Sequence, residues 1–242
     1  MKSFFSFINR TIIFPIFISL LAAMLFQPNV GAQTTKQNNL FVKESENIYK
    51  LNEITINTKD KTISFPCKIN MNQGLIEVVL CTREGKTHES LLVSNVTPPE
   101  FQTALLLLGL DPVNEVPNDN SKQDTLSRFK SIETPGDSVV LYIARTIDGK
   151  IEKQPVETYI YNESLKNELK KSTWLFRGAA THISGHIIID PEVTLIATYH
   201  DPEALMELNS PSKYNDELFY VNKELKLKTG EPVSLIIETI KK

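Results

Sequence analysis

The chain has 242 residues, 41% of them hydrophobic and 23% charged, with a formal net charge of −3. That composition supplies a real core and excludes a disordered or low-complexity chain. The mildly acidic balance, more acidic still without residues 1–32, which hold Lys2 and Arg10 and no acid, argues against nucleic acid, whose phosphates demand a clustered basic surface.

Residues 1–32 read as a secretory signal peptide. Lys2 and Arg10 form a positive n-region, residues 11–26 are an almost unbroken apolar run, and Val30-Gly31-Ala32 offers small residues for cleavage before Gln33. A permanent anchor is the rival reading, but a spanning helix needs about 20 apolar residues, and this run is shorter and contains Pro15. The expectation is export to the periplasm or beyond, with no stable membrane span once the segment is removed. Polar residues 33–48 read as a flexible leader, and residues 49–242 as a single domain.

Short β-branched runs at 54–56, 62–69 and 74–81 are separated by turn-forming residues and predict consecutive antiparallel hairpins. A further strand over 86–93 follows Arg83-Glu84-Gly85. The clearest helix spans 98–108. Thr97 is its N-cap, Pro98 its first residue and Glu100 the partner in a capping box; Phe101, Ala104, Leu105 and Leu108 repeat at helical spacing, and Gly109 stands where a terminating glycine belongs. Residues 111–136 read as a long surface excursion, 138–144 as a buried central strand. A short helix is expected over 162–171, strands over 173–176, 186–189 and 193–199, a short helix capped by Asp201, and a closing strand over 233–240. The fold class that follows is α+β: a mostly antiparallel sheet with one principal amphipathic helix and short additional helices.

Three stretches carry a family resemblance: Gly-Leu-Ile-Glu-Val-Val-Leu-Cys from Gly74, Gly-Lys-Thr-His-Glu-Ser-Leu-Leu-Val from Gly85, and Gln-Thr-Ala-Leu-Leu-Leu-Leu-Gly from Gln102. Together with the segments beginning at Trp174, Asn215 and Gly230 they resemble the YdjY-like family of bacterial exported proteins. The resemblance implies an exported single-domain protein and no particular reaction. An iron–sulfur cluster does not fit, because it takes about four thiolates and the sequence has Cys67 and Cys81 alone.

The segment Lys86-Thr87-His88-Glu89-Ser90 gathers a base, an acid and a hydroxyl. On a strand Lys86, His88 and Ser90 share one face, with Thr87 and Glu89 on the other. A three-residue hairpin loop pairs Thr82 with Lys86 and puts Glu89 across from Val79 beside Glu77; a two-residue loop sets His88 opposite Cys81. Glu77 and Glu89 together could hold a divalent cation or lift one carboxylate's pKa. His88 and Ser90, about 7 Å apart at strand spacing, are poorly placed as base and nucleophile. His182 and His186 have a spacing some metal sites use, with His88 or His200 as a third ligand, but Ile183-Ser184-Gly185 reads as a turn between them. Cys67 and Cys81 would meet an oxidising compartment as disulfide candidates, although a turn at Asn72-Gln73 leaves their sulfurs near the geometric limit. With no nucleophile elbow, cofactor loop or strong metal signature, the expected function is a non-enzymatic domain that binds a protein or small-molecule partner, with no cofactor. The alternative is a metal-dependent or acid/base enzyme centred on the segment 86–90.

Overall fold

The computed structural model describes residues 41–117, 129–178 and 193–240, with side chains throughout except at 114–117 and 129–134. The chain opens with β1 (Phe41–Lys43), β2 (Ile48–Leu51), β3 (Ile54–Asn57), β4 (Thr62–Ile69), β5 (Val78–Thr82) and β6 (Ser90–Ser94), then the helix α1 (Pro98–Leu107). A hairpin of β7 (Asn114–Pro117) and β8 (Phe129–Thr134) precedes β9 (Ser138–Ile147) and β10 (Lys150–Pro155). Next come β11 (Ile160–Asn162), β12 (Asn167–Glu168), β13 (Trp174–Phe176), β14 (Ile196–Ala197), β15 (Met206–Leu208), β16 (Phe219–Val221) and β17 (Pro232–Thr239).

Eight of these strands close on themselves. The ring runs β4, β17, β9, β13, β15, β14, β5, β6, and the pairing of Lys68 with Val93 and Ile69 with Leu92 returns β6 to β4. The β1–β2–β3 meander extends from β4, β10 hangs on β9, and β12–β11–β16 form a small separate sheet. The expected α+β architecture is therefore corrected to a mostly β protein, a barrel with added strands and one α-helix among the described residues. Full closure removes the exposed edges that an open antiparallel sheet would have had to protect.

Side-chain alternation fills the barrel. Ile63, Phe65, Cys67 and Ile69 of β4, Val139, Leu141 and Ile143 of β9, and Val233, Leu235 and Ile237 of β17 point inward and are buried, with the intervening positions more exposed. β5 is buried along its whole length, as befits a strand covered on both faces.

The helix starts and ends where its signals stand. The Glu100 carboxylate accepts from the Thr97 backbone N–H at 2.8 Å, completing the capping box, and Gly109 takes φ +89° to stop the helix. Phe101, Ala104 and Leu105 are buried, and the Phe101 ring meets Phe65 edge-on at 6.0 Å. The helix is not amphipathic as expected, because Leu106 and Leu107 occupy its outer face, each 47% exposed.

The two short helices are also corrected. At 162–171 Asn162 Oδ1 accepts from the Leu165 N–H at 3.1 Å and Lys166 takes φ +52°, so the chain turns into the β11–β12 hairpin; an asparagine that bonds the backbone locally competes with a helix. Asp201 likewise accepts from the Glu203 N–H at 3.0 Å in a tight turn rather than capping a helix. The stretch read as leader contributes β1 near its end. The strand expected at 186–189 lies outside the described residues. No helix among the described residues is long and apolar enough to cross a membrane.

Candidate functional site

The expected hairpin between β5 and the next strand does not form. β5 and β6 run parallel, Val78 beside Ser90 and Leu80 beside Leu92, and β6 rather than β5 lies next to β4. Residues 83–89 must therefore carry the chain back along β5, roughly 15 Å at about 3.3 Å per residue, with a link whose full reach is about 23 Å. Neither hairpin register survives, since Lys86 precedes a 3₁₀ turn at Thr87–Glu89 and the strand begins only at Ser90. Asn70 pins this crossover by donating from Nδ2 to the Thr87 carbonyl at 2.5 Å and the Ser90 carbonyl at 2.8 Å. The Glu77 N–H donates to the Glu89 carbonyl at 3.1 Å.

The crossover lays Lys86 against the segment that follows β14. Its Nζ lies 3.1 Å from the Tyr199 hydroxyl, 3.5 Å from Asp201 Oδ2 and 3.9 Å from Glu89 Oε1. Burial alone would depress the Lys86 pKa, but the Tyr199 bond and the Asp201 charge outweigh it and hold the pKa above its ordinary value. Burial also raises Tyr199, with the bond from Lys86 offsetting part of that. At neutral pH the pair is ammonium and phenol. Beside it opens a cleft of about 340 Å³, lined among the described residues by Glu84, Gly85, Lys86, His88, Val193, Thr194, Asp201 and Glu203.

The other candidates divide. His88 is exposed, its Nε2 3.5 Å from Glu89 Oε2. Ser90 is fully buried and its hydroxyl donates to the Leu92 carbonyl at 2.7 Å, so it is committed to the core and faces no base. Glu77 is half-buried, and its pKa is raised first by burial and then by the nearby charges of Glu89 and Asp216. Glu77 and Glu89 are thus brought near each other, yet among the described residues no three acidic, histidine or cysteine side chains converge as a metal site would require. His182 and His186 lie outside the described residues. His200 is not among the described residues that line the cleft: its Nδ1 is 2.9 Å from Glu207 Oε2, and Glu207, fully buried, also meets Lys213 at 2.5 Å and Arg177 at 3.3 Å.

The two disulfide candidates lie on strands that are not neighbours. Cys67 and Cys81 are both free and buried, because β6 separates β4 from β5. Two strand spacings come to roughly 9.6 Å, beyond the reach of a disulfide at about 7 Å between Cα atoms. Burial pushes the Cys67 thiol up to about 12.

Tyr199, Thr194, Glu203 and Glu84 escaped the sequence reading. The available signal was the polar cluster Thr198-Tyr199-His200-Asp201 directly after an apolar run, a common setting for a strand that ends at a site. No curated protein and no solved structure matches the chain. The family model of the YdjY domain matches residues 54–238, which takes in the barrel strands, the crossover and the cleft, and the chain therefore belongs to the YdjY family.

Proposed function

We propose that this protein is an exported domain that binds a small polar molecule in the cleft between the 83–89 crossover and residues 193–203, without transforming it. The observation that carries this reading is the setting of Lys86, whose ammonium is held by Tyr199 and Asp201 at the edge of an open cleft. A volume of about 340 Å³ falls at the small end of ligand pockets, which span about 300–1,000 Å³. Catalysis is disfavoured because the raised pKa values of Lys86 and Tyr199 leave one fully protonated and the other a neutral phenol, neither poised to exchange a proton near pH 7. Ser90 offers no nucleophile. Export is supported by the charge and apolar pattern of residues 1–32.

Ligand-observed NMR with a pool of small amines, carboxylates, sugars and inorganic phosphate tests the reading. At least one member should bind the purified protein, lose binding in Glu203→Trp, which fills the cleft mouth, and remain chemically unchanged after overnight incubation. Conversion of any member would establish the enzymatic alternative. Binding unaltered by Glu203→Trp, or no binding at all, would remove the cleft as the site.

A further inference from the structure

The cleft beside Lys86 holds more negative charge than its lysine can balance. Glu84, Asp201 and Glu203 all line it, while Lys86 is already engaged by Asp201 and Glu89. The carboxylates of Glu84 and Glu203 are exposed, and among the described residues neither enters an ion pair or accepts a side-chain hydrogen bond. His88, the other basic group on the lining, leans toward Glu89.

Thr194 supplies an independent sign. It lines the same cleft, is 2% exposed, and its hydroxyl finds no hydrogen-bond partner among the described residues. Buried hydroxyls are almost always paired. Beside a cleft, an unpaired hydroxyl that has itself under 1 Å² of accessible surface becomes an acceptor for a ligand's donor once its side chain turns toward the opening, since a hydroxyl has two lone pairs to offer.

We infer that the cleft recognises its ligand through an ammonium group, with Glu84 and Glu203 accepting two of the N–H donors and the Thr194 hydroxyl a third. The inference rests on the cleft being the binding site. An ammonium suits this arrangement because it carries three directed donors and no acceptor, and because charge-assisted bonds to carboxylates are the stronger kind. A bare divalent cation suits it less. Calcium takes six to eight oxygens within about 2.6 Å, and no three such side chains converge among the described residues. An anionic ligand would meet three carboxylates around one committed lysine.

Putrescine is the probe, with acetate and calcium chloride as counter-probes, titrated calorimetrically into the purified protein and into Glu84→Gln, Glu203→Gln and Thr194→Val. Both glutamates are exposed, so their variants should keep the parent's circular dichroism and melting profile, and they stand as the decisive pair if Thr194→Val unfolds. The expected result is one putrescine per chain, with Kd raised roughly tenfold by each glutamine variant and severalfold by Thr194→Val, since charge-assisted bonds are about twice as strong as neutral ones. Added salt should weaken the binding. Acetate binding that Glu203→Trp abolishes, without putrescine binding, would overturn the ammonium inference and leave the cleft as a site. Calcium that displaces putrescine at submillimolar concentration would replace it with a cation site. Putrescine binding indifferent to all three variants would place the amine elsewhere. Absence of binding by every probe and by the wider pool would sink the cleft reading itself.

Discussion

Glu157 sits on a 3₁₀ turn at Val156–Tyr159 and is buried, its Oε1 accepting from the Trp174 indole N–H at 3.1 Å and the Ser172 backbone N–H at 3.2 Å. Burial raises its pKa above the ordinary 4.5, and those bonds offset only part of the rise. The native state thus holds the proton more tightly than the unfolded chain, so this contribution to stability is complete below the unfolded pKa and is lost as pH rises through the folded one. Glu157→Gln keeps a carbonyl acceptor for both N–H groups and removes the charge. Its melting temperature should vary less than the parent's from about pH 4.5 upward and should exceed the parent's at about pH 7; a lower value there would show that the carboxylate's charge is itself required. The cysteines allow a second residue-scale prediction. Both thiols are buried and free, so a thiol titration should count none in the native protein and two after denaturation without reductant. A count of zero after denaturation would mean that the chain forms the bridge which the strand order forbids.

At the scale of elements, α1 separates a buried stripe from an apolar outer face. Leu105 is fully buried, so Leu105→Ala should cost about 2 to 5 kcal/mol in urea unfolding. Leu106→Ala and Leu107→Ala, at half-exposed positions, should each stay within about 0.5 kcal/mol, and a large loss at either would show that the outer face is packed. The crossover makes a matching prediction. Asn70 donates to two carbonyls that flank the 3₁₀ turn, so Asn70→Ala should cost about 1 to 3 kcal/mol and raise amide exchange at residues 87–90 more than in α1. Uniform loosening of both would mean that Asn70 supports the core in general rather than this turn. The helix was legible because its start and stop depend on groups within a few residues: Thr97, Pro98, Glu100 and Gly109. The crossover was not. Two apolar runs separated by Arg83-Glu84-Gly85 carry the local signal of a hairpin, and nothing within that window reveals that β14 and β6 flank β5 while β4 takes the far edge of β6.

On the scale of the whole molecule, the proposed export gives a plain measurement: mass analysis of the protein from its native host should find an N-terminus at Gln33. An intact Met1 on the exported form would remove the signal peptide from the account. The residues themselves determined much of the protein: the presence of strands at β4, β9 and β17, the capped helix and the family all follow from patterns a few residues long or from identity along the chain. Tertiary structure alone decided that the strands close into a barrel, that β5 and β6 run parallel, and that Lys86 meets Tyr199 across 113 positions. Side-chain alternation tells a strand which face to bury and says nothing of which strand lies beside it. That choice is made by non-local pairing, and the cleft at Lys86 exists only as its consequence.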